Sequence, residues 1–232
     1  MIERGHTDFV MSKMEPILKS ILSHSVELNV LTRELPWDSP QFYGIWLGQM
    51  RLLVEETVPM FKLAAAKCAR RDPAIYQYII NHAVDAFDQE AKISQDIKRV
   101  GFYTDKLAQF HETKQIFRSQ YYFIHEVEPL CFIGDTLYFE SMSSVIGKEI
   151  LSRLVKVHGA ISCSFLIAHT QVCKIHSEHI TKVLDMVDPG RLMKIHESIN
   201  CTHKLFVEML KKCKNDWQLS TRNVSKQKRI AE

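Results

Sequence analysis

The chain reads as an all-α protein, a compact bundle of about seven helices in one domain. Three observations carry that reading. Apolar residues recur at three- and four-residue spacing in nearly every segment instead of alternating. Gly (8) and Pro (7) together are only about half their usual share of a 232-residue chain, too few for a turn-rich β fold. The length suits one large domain, and no repeat, low-complexity stretch or composition shift marks a linker. The expected organisation is a helical domain over 1–215 and a polar, frayed tail over 216–232.

Taken in order, residues 6–30 carry Phe9, Val10, Met14, Ile17, Leu18, Ile21 and Leu22, one apolar helical stripe. Ser39 can cap a second helix, which Phe42, Ile45, Trp46, Gln49, Leu52 and Leu53 continue. Pro59 falls inside that pattern and predicts a kink or two helices in tandem. Pro73 opens a third helix that Gly101 closes, and Thr104 opens the next. Gly159 and Pro189-Gly190 give later breaks, with the last helix near 191–214.

Composition narrows the function. A net charge of +3 is too small for an electrostatic nucleic-acid binder. No apolar run approaches the length of a membrane span. The first twenty residues mix charges throughout and do not follow the order of a secretory leader, so the six cysteines are expected reduced and the protein cytoplasmic. Eleven histidines are about twice the ordinary number, and His is the commonest metal ligand.

The densest cluster is SFLIAHTQVCKIHSEHITKVL, residues 164–184. His169, Cys173 and His176 are spaced i, i+4, i+7, one helical stripe, with Phe165, Leu166, Val172, Val183 and Leu184 nearby. Imidazoles and a thiol facing a core need partners, and one metal ion would serve all three; hydrogen-bonded core histidines beside a small buried Cys are the plainer alternative. His82, Asp85 and Gln89 form a second stripe, on which Asp85 reads as inward or simply exposed, while Asp88, Lys92, Asp96 and Lys98 read as a solvated face. Glu140 stands among Leu137, Tyr138, Phe139 and Met142, an apolar setting in which a carboxylate is normally paired or metal-bound.

The run QYYFIHEVEPLCFIGDTLYFES followed by FLIAHTQVCKIH resembles the heme-oxygenase-like di-iron oxidases and oxygenases, in particular the group of the chlamydial protein that associates with death domains (CADD-like). The resemblance covers about 42–185 and implies an all-helical fold without heme. It also implies six ligands to two irons: Glu140 falls on the family's single Glu, His169 and His176 on its paired His, and Asp85 on its first carboxylate. Cys173 stands where the family has Asp and Gln89 where it has His; His82, one turn before Asp85, is a candidate to compensate. Sulfur in place of a hard oxygen donor shifts the expectation towards one iron, or zinc.

The resemblance therefore implies a non-heme iron oxidase or oxygenase acting on a small organic substrate, with a homodimer as its assembly. The alternatives are a metal-free member serving as a binding or interaction module, and a thiaminase-like hydrolase with Cys131 as nucleophile, for which the sequence offers no acid–base partner.

Overall fold

The computed structural model describes residues 2–85, 88–102 and 109–231, with side chains described over 13–84, 88–102 and 109–222. Among them are nine α-helices: α1 (Ile2–Arg33), α2 (Pro40–Cys68), α3 (Pro73–Asp85), α4 (Gln89–Arg99), α5 (His111–Tyr122), α6 (Cys131–Met142), α7 (Lys148–His158), α8 (Ser164–Leu184) and α9 (Pro189–Ala231). No strand occurs among the described residues. Five-residue π-helical turns, Phe123–Val127 and Ser143–Gly147, extend α5 and join α6 to α7.

Local chemistry sets most of the ends. Ser39 Oγ accepts from Phe42 N at 3.3 Å and caps α2, as expected. Pro59 neither ends α2 nor divides it. The missing backbone donor costs about 3 kcal/mol in a helix interior, and burial of Met60, Phe61, Ala64 and Ala65 just beyond it holds the helix through. Pro73 starts α3 and Pro189 starts α9. Gly101 (φ 74°) and Gly159 (φ 81°) take the left-handed backbone that ends α4 and α7. The expected helix start at Thr104 lies outside the described residues.

Two expectations need correction. The segment 73–101 is two helices, because α3 packs along α2 while α4 turns its Ile93, Asp96 and Ile97 face onto α2 and α8. Asp96 consequently belongs to no solvated face. It is fully buried and accepts from Ser164 Oγ at 2.7 Å and from Phe165 N at 2.8 Å, satisfying the open N-terminus of α8.

The core centres on α6, which is buried around nearly its whole circumference and packs on α9, α8, α1, α2 and α5. At Gly134 the approach to α9 is so close that an added Cβ would lie 2.8 Å from Ile195 O. α9 runs beyond the expected 214. Trp217 Nε1 donates to Ser39 Oγ at 3.0 Å, tying the start of the polar tail to the cap of α2; most of that tail's side chains lie outside those described. All six cysteines are free, and no described helix is long and apolar enough to cross a membrane.

Candidate metal centre

Glu140 sits in the last turn of α6, just before the π turn at Ser143–Gly147, and is 4% exposed. π turns recur beside functional sites because they re-aim the side chains around them. His176 Nδ1, from α8, lies 3.0 Å from Glu140 Oε1, and His82 Nε2, from α3, lies 3.5 Å from the same oxygen. The two imidazoles are tilted at 54° to each other with ring centroids 4.3 Å apart. One donor atom from each of His82, Glu140 and His176 falls within 4.8 Å of the others, and all three residues are buried.

The groups around them fix the orientation. The Tyr78 hydroxyl is 3.3 Å from His82 Nδ1, which turns Nε2 towards Glu140, and the Phe61 ring packs 5.0 Å from the His82 ring. Glu140 Oε2 is buried without a hydrogen-bond partner. Burial by itself would raise the Glu140 carboxyl, but the hydrogen bonds from His176 and His82 and the charges of His169 and His176 outweigh it and hold the group at about 2.

Of the residues singled out in the sequence, the structure brings together Glu140, His176 and His82. His169 lies farther out on the wall of the adjoining cavity, stacked on Phe165, with its Nδ1 buried and unpartnered. Burial lowers its pKa, against the pull of the Glu140 charge. Cys173 shares the stripe, but its Sγ donates to Thr170 O of its own helix at 3.4 Å, and burial raises the thiol. Neither His169 nor Cys173 forms a further three-donor group among the described residues. Asp85 is the last residue of α3, and its side chain lies outside those described. Gln89 begins α4, across the break from α3, and reaches the cavity wall. Cys131 is fully buried, is absent from the cavity wall, and burial pushes its thiol up to about 12, the reverse of an activated nucleophile.

The cavity beside Glu140 and His82 has a volume of about 170 Å³. Its wall is mostly apolar, with Trp46, Phe61, Phe117, Phe132, Phe139 and Phe206 among its members. The donor spacing suits an ion. Two atoms each about 2.1 Å from one metal lie about 3.0 Å apart at a right angle and about 3.4 Å apart at a tetrahedral one; the distances to Glu140 Oε1 are 3.0 and 3.5 Å. The unpartnered Glu140 Oε2 and His169 Nδ1 are further donors that nothing in the described protein satisfies.

The helices are arranged in a heme oxygenase-like fold. A crystal structure of a domain of unknown function with that fold, from Shewanella denitrificans OS217, is similar at a TM-score of 0.77 and 15% sequence identity over 88% of this chain and 94% of that one. At that identity the likeness shows the fold alone. No protein-family model and no curated protein matches the sequence.

Proposed function

We propose that the protein is a non-heme metal-dependent enzyme of the oxidase or oxygenase type, holding one iron on His82, Glu140 and His176 and acting on a small apolar substrate. The observation that carries this reading is the three-donor group itself, buried, converging within 4.8 Å and opening onto an apolar cavity. Two imidazoles and a carboxylate with positions left over are the donor set associated with non-heme iron(II). His169, with its unpartnered Nδ1, is a candidate for a further ligand and Asp85 another, whereas the bond from Cys173 to Thr170 O weighs against sulfur ligation. This single-ion reading departs from the two-iron arrangement that the sequence resemblance implies, as the Cys173 and Gln89 replacements lead one to expect.

When bound, iron(II) would supply redox chemistry with O₂. The protein's own part is to bind, orient and exclude. Tyr78 orients His82, the π turn after Glu140 presents its carboxylate, and the aromatic wall keeps water from the substrate. Burial works against it, but the hydrogen bonds from His176 and His82 favour the ionised form of Glu140, the form that serves as a ligand.

A second reading has one observation in its favour. Glu140 Oε1 is already engaged by His176 at 3.0 Å, so the group can hold together without an ion, as a ligand-binding module would require. Oxygen uptake separates the two. Protein loaded anaerobically with iron(II) should consume O₂ on exposure to air, and zinc-loaded protein should not. Absence of uptake in both, with no metal retained, would favour the module.

A further inference from the structure

The cavity that meets Glu140 and His82 has a second acid on its wall. Asp135 precedes Glu140 by five residues on α6, a separation of about 7.5 Å along the helix axis. It is 6% exposed and lines the same cavity as Glu140 and His82. Its Oδ1 accepts from Thr202 Oγ1 at 2.8 Å. Thr202 in turn accepts from Gln120 Nε2 at 2.9 Å, and Gln120 Oε1 accepts from Ser198 Oγ at 3.1 Å.

The direction of this chain matters. Thr202 Oγ1 accepts from Gln120 and gives its one proton to Asp135 Oδ1. Each link therefore presents a donor towards the carboxyl and favours its anionic form. Nothing comparable serves Oδ2, which takes no hydrogen bond and has no cationic partner among the described residues. The threonine hydroxyls of the cavity wall are occupied by their own helices: Thr32 donates to Leu28 O at 2.8 Å, Thr57 to Leu53 O at 3.0 Å and Thr136 to Phe132 O at 2.9 Å. Burial pushes the Asp135 carboxyl up to about 7, against the Thr202 hydrogen bond, as happens to an acid without a counter-charge.

A buried carboxylate ordinarily has a cation beside it. Here the space beside it is the cavity. We infer that Asp135 is the specificity-determining group of this cavity, receiving the ammonium head of a primary amine whose apolar body extends towards the His82–Glu140–His176 group. A carboxylate head would meet a like charge. A hydroxyl head would fill the acceptor at Oδ2 but leave the charge unbalanced. This assignment rests on the cavity being the substrate site of the function proposed above, and needs no metal.

The test is titration calorimetry of metal-free protein with n-octylamine, n-octanol and n-octanoate at neutral pH. Octylamine should bind at least about tenfold tighter than either of the others. Asp135→Asn, equal in size and able to keep the Thr202 contact, should remove that preference while still binding octanol, which reports an intact cavity. Octanoate binding as tightly as octylamine to the native protein would overturn the assignment whatever the variant does. So would an octylamine affinity unchanged in Asp135→Asn. Octanol binding without an amine preference overturns the amine assignment alone, whereas no binding of any of the three also removes the cavity as a substrate site.

Discussion

His176 Nδ1 and Glu140 Oε1 lie 3.0 Å apart in the middle of the bundle, joining α8 to α6 across 36 residues of sequence. His82 approaches the same oxygen from a third helix, and the other oxygen of Glu140 is buried with no partner. An ordinary buried ion pair normally satisfies both carboxylate oxygens, and this one does not.

His82 should matter to metal binding as much as His176, although the sequence gives it only a compensating role. His82→Ala and His176→Ala are each expected to weaken iron(II) affinity by at least about a hundredfold, the upper end for loss of a ligand-orienting partner. Cys173→Ser should change it by less than about tenfold. Competition with a chromogenic chelator measures all three, and a Cys173→Ser loss equal to that of the histidine variants would restore the thiol to the ligand set.

Gly134→Ala should be destabilising although alanine is the better helix former. The new Cβ would stand 2.8 Å from Ile195 O and 2.9 Å from Ile195 Cγ2, so α6 and α9 must separate. Overpacking of this kind costs about 1–3 kcal/mol, against a propensity gain of about 1 kcal/mol. Denaturant unfolding reads the balance, and a more stable variant would show that the two helices are not in such close contact.

Arg191 ties the start of α9 to two loops, donating to both oxygens of Asp72 at 2.9 and 2.8 Å and to Glu128 Oε1 at 2.9 Å. Arg191→Met leaves the buried Glu128 with the Leu130 N–H, 3.3 Å from its Oε1, and one distant cation, Arg71, 3.7 Å from its Oε2. Removing one partner of a buried pair costs about 3–5 kcal/mol, and Arg71 should hold the loss near the lower end. Thermal unfolding at neutral pH measures it; an unchanged midpoint would mean the network contributes nothing net.

Acid should destabilise the fold partly through His24. Its ring stacks on His203 at 3.8 Å, and burial, with the neighbouring His203 charge second, lowers its pKa to about 4 from an ordinary 6.5. Between those values the unfolded chain takes up a proton that the folded chain refuses, so this contribution to stability falls as pH drops from about 6.5 to about 4. His24→Phe keeps an aromatic ring in the stack and removes the titration. Its stability should therefore depend less on pH across that window, as followed by unfolding at a series of pH values, and an unchanged slope would place the acid sensitivity elsewhere.

What the sequence makes legible follows from the range of the interactions. Helix class, the Ser39 cap and the proline starts are set by neighbours a few residues away, and they can be read directly. Glu140 is legible because a carboxylate in an apolar helix needs a partner. Asp135, in the same apolar helix, carries the same signal, but its meaning depends on Thr202, which lies 67 residues away. Asp96 is misread as solvated because the N-terminus it satisfies belongs to a helix 68 residues on. The i, i+4, i+7 stripe of α8 correctly faces His169, Cys173 and His176 inward. Spacing does not say that Cys173 spends its proton on Thr170 O. Part of the histidine surplus likewise has a structural use in the His24–His203 stack, formed by residues at opposite ends of the chain.

The most direct measurement is the equilibrium stoichiometry of iron(II) on the native protein and on Glu140→Gln, determined anaerobically by titration and by metal analysis after gel filtration. One ion per chain on the native protein, lost in Glu140→Gln while circular dichroism stays helical, is the expected result. No retained iron on the native protein, or equal retention by Glu140→Gln, would contradict the metal centre.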